Sequence, residues 1–200
     1  MPDSPSLILA SASPRRLELL RQIGVSCRLA PQDIDESSHT GESATDLVSR
    51  LAREKAVAAL QQFANEPAAV ILASDTVVVV DDDVLGKPED RDHACLMLEQ
   101  LSGRSHRVLT AVTVASHQRQ ASCVSSSSVT FRVISDAEAR RYWLTGEPQG
   151  KAGGYAIQGL GAIFVQDLQG SYSAVMGLPL YETAQMLAGF DIPCWQVETE

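Results

Sequence analysis

The sequence predicts a mixed-sheet α/β fold, and three observations predict it. Apolar runs of strand length, at 7–10, 69–73 and 77–80, alternate with segments whose apolar residues recur at helical spacing. Between 77 and 134 the chain is hairpin-rich, with a turn at Asp81-Asp82-Asp83 and β-rich stretches at about 106–116 and 120–134, a pattern that a purely parallel sheet does not show. Neither a repeat nor a long linker breaks the 200 residues, so a single domain over 1–200 is expected, with enough length for two lobes.

Taken in order, the first strand spans about 7–10 and feeds a helix through "SASPRR". Ser13 suits the N-cap, Pro14 the first helical position and Gly24 the stop. A polar loop follows, Gln32-Asp33-Ile34-Asp35-Glu36-Ser37-Ser38. The next helix runs over about 44–63, where Leu47, Val48, Leu51, Ala52, Ala59, Leu60 and Phe63 make one apolar face. Two apolar blocks then flank "SDT", and Asp81-Asp82-Asp83 reads as a hairpin turn before "LGKP". A helix over 91–101 closes at Gly103, and β-rich stretches follow at about 106–116 and 120–134. Ser135 and Glu138 form a capping box for a further helix. The last quarter reads as glycine turns alternating with short strands, ending in "GLPLYETAQMLAGF", whose second half is helical.

Composition narrows the function classes. Apolar content of 44% and charged content of 20% are those of a folded domain. A net charge of −9 repels a phosphate backbone and argues against generic nucleic-acid binding, although a local basic cluster can still hold a small phosphorylated ligand. Cys27, Cys95, Cys123 and Cys194 are widely spread without a C-x-x-C pair, and read as free thiols rather than disulfides. His39, His93, His106 and His117 lack zinc-ligand spacing. Neither a signal-peptide pattern nor an apolar run of about 18 residues is present, so a cytoplasmic protein without a membrane partner is expected.

Five features are candidates for chemistry. Arg15 and Arg16 open a helix where the macrodipole favours acidic residues; each misplaced charge costs roughly 0.3–1 kcal/mol. With Ser11 and the exposed N–H groups of the helix start they form an anion cradle, or else two solvated surface arginines. Lys55 falls near ~80° on a wheel begun at Leu47, inside the apolar stripe, so it either snorkels or points into an interior polar site. Asp75 lies in "AVILASDTVVVV", where it marks a turn at a strand end or is held by a cation. Lys87 in "LGKP", with Glu36 and Asp35 in the early loop, are weak signals taken singly. Gln158 lies in a glycine-rich segment, where its amide matches the pairing edge of uracil or thymine or serves only a turn in a β meander.

In this order and spacing, "LASASPRRLELL", "ESATDLVSRLAREKA", "ASDTVVVVDDDVLGKPED", "LSGRSHRVLTAV" and "KAGGYAIQGLGAIFVQDLQGSYSAVMGLPLYET" resemble the Maf family of nucleoside triphosphate pyrophosphatases over nearly the whole chain. The resemblance implies an elongated mixed-sheet fold similar to that of the inosine triphosphate pyrophosphatases, with a central cleft between two lobes. It implies hydrolysis of a nucleoside triphosphate between the α- and β-phosphates, a divalent cation (Mg²⁺ or Mn²⁺) and a homodimer. By the same resemblance Ser11, Arg15, Arg16, Lys55 and Lys87 bind phosphate, and Glu36 and Asp75 hold the metal. Asp75 is also the catalytic residue, as proton acceptor or as a ligand orienting a water. Arg15, Thr76 and Gln158 match the positions that set base choice in the branch acting on dTTP and UTP. The rival expectations are the branch acting on 7-methyl-GTP, and a nucleotide-sensing regulator of cell division without catalysis. Ala12 replaces the glycine common in the first motif, and Gly154 and Ser173 are further local variations; none removes a charged group.

Overall fold

The computed structural model describes residues 5–195. In chain order its elements are β1 (Ser6–Leu9), α1 (Pro14–Gln22), β2 (Arg28–Leu29), α2 (Ala44–Gln62), β3 (Ala69–Val80), β4 (Asp83–Leu85), α3 (Arg91–Leu101), β5 (Ser105–Ala115) and β6 (Gln120–Phe131). There follow α4 (Asp136–Leu144), two 3₁₀ turns (Ala152–Gly154 and Leu160–Phe164), β7 (Val165–Gln169), α5 (Tyr172–Met176) and α6 (Leu180–Ala188). Seven strands make one sheet in the order β2-β1-β3-β5-β6-β7, with β4 paired to β3. β1 is parallel to β2 and β3, whereas β4 and β7 run antiparallel to β3 and β6, so the sheet is mixed and the α/β class is the one expected.

Local chemistry sets the element boundaries. Ser13 is the N-cap of α1 and Pro14 follows it. Gly24 (φ 66°) ends the helix, with its N–H on the Arg21 carbonyl at 2.9 Å and the Val25 N–H on that of Leu20 at 3.0 Å. That pair of bonds is a Schellman closure, which needs a left-handed residue at the Gly24 position. The side chains of Ser43 and Asp90 cap α2 and α3 by accepting from Asp46 and His93 N–H. Ser135 and Glu138 complete the expected capping box of α4.

The chain divides into two compact units, each with a core of its own. The first comprises the chain up to Asp75, Thr110–Ser125 and the chain from Gly177 onward. From β1 it passes through α1 to β2 on one side, then back through α2 to β3 on the other. Right-handed crossovers therefore deliver α1 and α2 to opposite faces. The packing agrees: Ala69, Ile71 and Ala73 of β3 share a core cluster with Ile8, Ala10 and the α2 residues Ala56 and Ala59. The second unit comprises Thr76–Leu109 and Ser126–Met176. Its core sets Phe131, Tyr142, Tyr155 and Phe164 against Val78, Met97, Leu98 and Leu101. Phe131 meets Tyr155 edge-on at 4.8 Å, and Tyr142 meets Phe164 edge-on at 5.1 Å.

The structure differs from the sequence reading at two places. The blocks flanking "SDT" are one twelve-residue strand, so Asp75 is not at a strand end. The last register pair between β1 and β3 is Leu9 with Leu72, and the Ala10 N–H still reaches the Leu72 carbonyl at 2.8 Å. The polar interruption marks where the neighbouring strand stops. In the last quarter, the segment expected to alternate turns with short strands holds two 3₁₀ turns and the single strand β7 before the helices. Its backbone N–H groups bond three residues back, as Gly154 to Lys151 and Ala162 to Gly159 do, rather than across a ladder.

Candidate active site

In the first unit the chain order reverses direction at β1, and ligands of open α/β sheets bind beyond the carboxyl ends of the strands at such a reversal. Ser11 follows β1 at this point, and Asp75 lies three residues past the last β1 pairing on β3. Alternation along β3 places 69, 71, 73 and 75 on one face. Asp75 is thus the polar continuation of the alanine and isoleucine row that packs under α2.

Lys55 meets it from above. It lies on the buried face of α2 with Leu51, Ala52, Ala56 and Ala59, and is itself only 7% exposed. Its Nζ donates to Asp75 Oδ1 at 2.7 Å and to Glu36 Oε1 at 2.6 Å. The lysine does not snorkel; it points into an interior polar site. An ammonium and a carboxylate this far from water persist because each satisfies the other, and removing either partner of such a pair costs about 3–5 kcal/mol.

Glu36 comes from a loop without regular structure, and that loop is pinned to α2. The Ser37 N–H donates to Asp35 Oδ1 at 2.9 Å, closing a turn around Glu36, and Arg50 Nη2 donates to the Ser37 carbonyl at 2.8 Å. Arg50 also grips Glu42 through Nε at 2.7 Å and Nη2 at 2.8 Å. That donation pulls the Glu42 carboxyl down to about 2. Asp35 therefore serves the turn, with its own carboxyl held low by Ser37.

The start of α1 supplies the cationic side. Arg16 donates through Nε to the Gly177 carbonyl at 2.9 Å and through Nη1 to Ser11 Oγ at 2.9 Å. Ser11 Oγ also accepts from the Ser13 N–H at 3.2 Å. The Gly177 carbonyl takes a second bond from the buried Ser74 hydroxyl at 2.9 Å, which ties α1, β3 and the approach to α6 together. Burial lowers the Arg16 pKa; the Asp75 and Glu36 charges oppose that shift and the Arg15 charge adds to it. A guanidinium stays protonated through all of this, so the site contains a fixed positive charge. No acidic residue lies in the first turn of α1, and its dipole adds to that charge.

The first unit thus gathers Ser11, Arg15, Arg16, Glu36, Lys55 and Asp75. Thr76, Lys87 and Gln158 belong to the second unit. Thr76 follows Asp75 in β3, half-buried and on the opposite face of the strand. Lys87 is exposed on the segment between β4 and α3, and Gln158 is exposed on a turn beside buried Ile157. Sequence reading missed Gly177 and Ser74. The only local signal for Gly177 is a glycine at φ 120°, and a carbonyl acceptor has no residue type to read.

Among the described residues no group of three or more His, Cys, Asp or Glu side chains converges as a ready metal cage. The Glu36–Asp75 pair nonetheless fits a hard divalent cation. Mg²⁺ is held by one or two carboxylates and completes its shell with water and phosphate oxygens. Lys55 bonds one oxygen of each carboxylate, which brings the two side chains to a common point.

The family described as Maf-like protein matches residues 6–190. The chain is 51% identical over 195 residues to the dTTP/UTP pyrophosphatase of Saccharophagus degradans, covering 97% of this chain and 93% of that one. It is 51% identical over 191 residues to the dTTP/UTP pyrophosphatase of Alkalilimnicola ehrlichii, covering 94% of each. Among solved structures, the nucleoside-triphosphatase / dITP/XTP pyrophosphatase of Mycobacterium abscessus matches 92% of this chain and 95% of its own, at 19% identity and a TM-score of 0.45.

Proposed function

This chain belongs to the Maf-like family, and from that premise we propose that it is a dTTP/UTP pyrophosphatase, releasing pyrophosphate and the nucleoside monophosphate. The observation that carries the reaction is the Lys55 ammonium held between Glu36 and Asp75. The names of the relatives at 51% identity support the choice of base.

In this reading the triphosphate lies at the N-terminus of α1. Ser11 and the helix N–H groups receive phosphate oxygens, and Arg15, Arg16 and Lys87 neutralise them. Preorganised positive charge is the main catalytic device of phosphoryl transfer. Glu36 and Asp75 would hold a divalent cation, Mg²⁺ or Mn²⁺, which when bound would lower the pKa of water and offset phosphate charge. Lys55 keeps the two carboxylates aimed at one point despite their mutual repulsion. Asp75 has one oxygen committed to Lys55, and its other oxygen orients the attacking water. Gln158 reads the pairing edge of the pyrimidine, and Thr76 and Arg15 contribute to base choice. Free cysteines at 27, 95, 123 and 194 suit a reducing cytoplasm, and among the described residues no helix is long and apolar enough to cross a membrane. The resemblance supports a homodimer, which light scattering tests.

The deciding experiment incubates the protein with dTTP, UTP, CTP, dGTP and 7-methyl-GTP, with Mg²⁺ or Mn²⁺, and measures pyrophosphate and monophosphate. Fastest turnover of dTTP and UTP is expected, abolished by EDTA and restored by the cation. Faster turnover of 7-methyl-GTP would reverse the base assignment. Thermal stabilisation by nucleotides without turnover would make the protein a sensor. Near-normal turnover by Asp75→Asn would remove Asp75 from the chemistry.

A further inference from the structure

Glu147 has no part in the site described above, yet its carboxylate accepts three hydrogen bonds within the second unit. It follows the end of α4, where the Thr145 hydroxyl donates to the Tyr142 carbonyl at 2.6 Å and the Glu147 N–H donates to Thr145 Oγ1 at 3.2 Å. Lys151 Nζ donates to the Glu147 carbonyl. Thus fixed, Glu147 Oε1 accepts from the Tyr142 hydroxyl at 2.6 Å and from the Gly161 N–H at 2.9 Å, while Oε2 accepts from the Leu160 N–H at 2.9 Å. Tyr142 Oη in turn accepts from the Ala156 N–H at 3.1 Å. Burial pushes the Glu147 carboxyl up, but donation from Tyr142, Gly161 and Leu160 outweighs it and holds the group below its ordinary range.

These bonds bracket one residue. The backbone is tied at Ala156 on one side and at Leu160 and Gly161 on the other, and the exposed side chain between the ties is Gln158. The glycines of this stretch make the approach feasible. A Cβ at Gly159 would collide with the Glu147 carboxylate, its Cδ standing at 2.6 Å, and one at Gly161 would lie 2.6 Å from Tyr142 Oη. Neither glycine has a positive φ, so the absence of a side chain here serves closeness rather than turn geometry. The backbone that these glycines bare is occupied by the protein's own carboxylate.

We infer that Glu147 is a positioning residue for base recognition: through Leu160, Gly161 and the Tyr142 bridge to Ala156, it sets the backbone from which Gln158 presents its amide. The inference rests on the proposed reading of Gln158 as the pyrimidine contact. A carboxylate is required because all three groups facing it are donors. A glutamine keeps one oxygen but, whichever way it is turned, sets its NH₂ against the N–H of Leu160 or of Gly161, leaving donor against donor.

The test compares Glu147→Gln, Gln158→Ala and the double variant, with dTTP and dGTP as substrates. Glu147→Gln is expected to raise KM for dTTP about tenfold while kcat stays within about threefold, so that discrimination against dGTP falls about tenfold. In the Gln158→Ala background the same change is expected to alter discrimination by less than about twofold, because the two act as one unit. Tyr142→Phe keeps the ring against Phe164, removes one donor to Glu147 and shifts KM in the same direction by less. This second variant decides the matter if Glu147→Gln fails to fold. Effects that multiply in the double variant, a loss confined to kcat, unchanged discrimination in a folded Glu147→Gln or, where that variant does not fold, unchanged discrimination in Tyr142→Phe would overturn the inference. Failure of the underlying reading is separate: it shows in the unaltered protein as absent dTTP turnover, or in Gln158→Ala as unchanged discrimination.

Discussion

Acid should loosen the second unit through one histidine. His106 is 3% exposed, edge-on to Phe131 at 4.8 Å and to Tyr155 at 5.5 Å. Its Nε2 shares a hydrogen bond with the Tyr155 hydroxyl at 2.8 Å, and its Nδ1 has no hydrogen-bond partner among the described residues. Burial pushes its pKa down from 6.5 to about 4. Because the folded value lies below the unfolded one, the unfolded chain takes up the proton first as pH falls. The contribution of His106 is complete above about pH 6.5 and is lost progressively toward pH 4. At ~1.4 kcal/mol per pH unit the full loss is about 3 kcal/mol, of which about 2 kcal/mol is gone at pH 5. His106→Phe keeps the edge-on ring and cannot titrate, at a cost of about 1–3 kcal/mol at every pH for the unpaired Tyr155 hydroxyl. Urea unfolding of both proteins at pH 7.5 and pH 5.0 isolates the histidine, since the other titrating groups cancel. The gap in stability should narrow by about 2 kcal/mol at the lower pH. Parallel pH dependence in the two proteins would refute the reasoning.

Lys55→Met should lose about 3–5 kcal/mol of stability in urea unfolding, because Asp75 is then buried without its counter-charge. Its turnover should fall about 10²–10³-fold in a pyrophosphate-release assay. Gly153→Ala should cost about 1–3 kcal/mol, because φ is 66° there and the new Cβ would stand 3.0 Å from Val78 Cγ2. Shortening Val78 to alanine should recover part of that loss in a thermal melt. Ser135→Ala should lower the urea midpoint by the equivalent of about 0.5–2 kcal/mol through the lost α4 cap, with KM unchanged.

Much of the first unit is legible in its residues. Pro14 and Gly24 delimit α1 because the backbone restriction of proline and the left-handed freedom of glycine are announced by residue type, whereas the Ser13 side chain makes no cap bond. Lys55 stands out because a charge within an apolar stripe breaks a period. Its partners are not legible, since Glu36 and Asp75 are set by loop closure and strand register, which have no local code. Of the two readings open for Asp75, the strand-end turn fails and the cation partner holds, and the choice is not legible because a sequence does not say where its neighbour in the sheet stops. Glu147 is silent for a related reason. What it binds is backbone N–H, identical at every residue and brought within reach only by the fold. In the last quarter, 3₁₀ turns leave neither a period of two nor one of 3.6, and glycines alone do not tell them from strands.

The two bonds on Ser11 have a consequence for the direction of its hydroxyl. A serine oxygen has two lone pairs and one proton. The Ser13 N–H and Arg16 Nη1 occupy the lone pairs, so the proton is what remains to be offered. Ser11 is thereby a one-way group: it can give a hydrogen to an incoming oxygen but has nothing left with which to receive one. At the mouth of α1 this polarity favours an incoming acceptor, such as a phosphate oxygen in the proposed reading, over a group that can only donate, such as an ammonium.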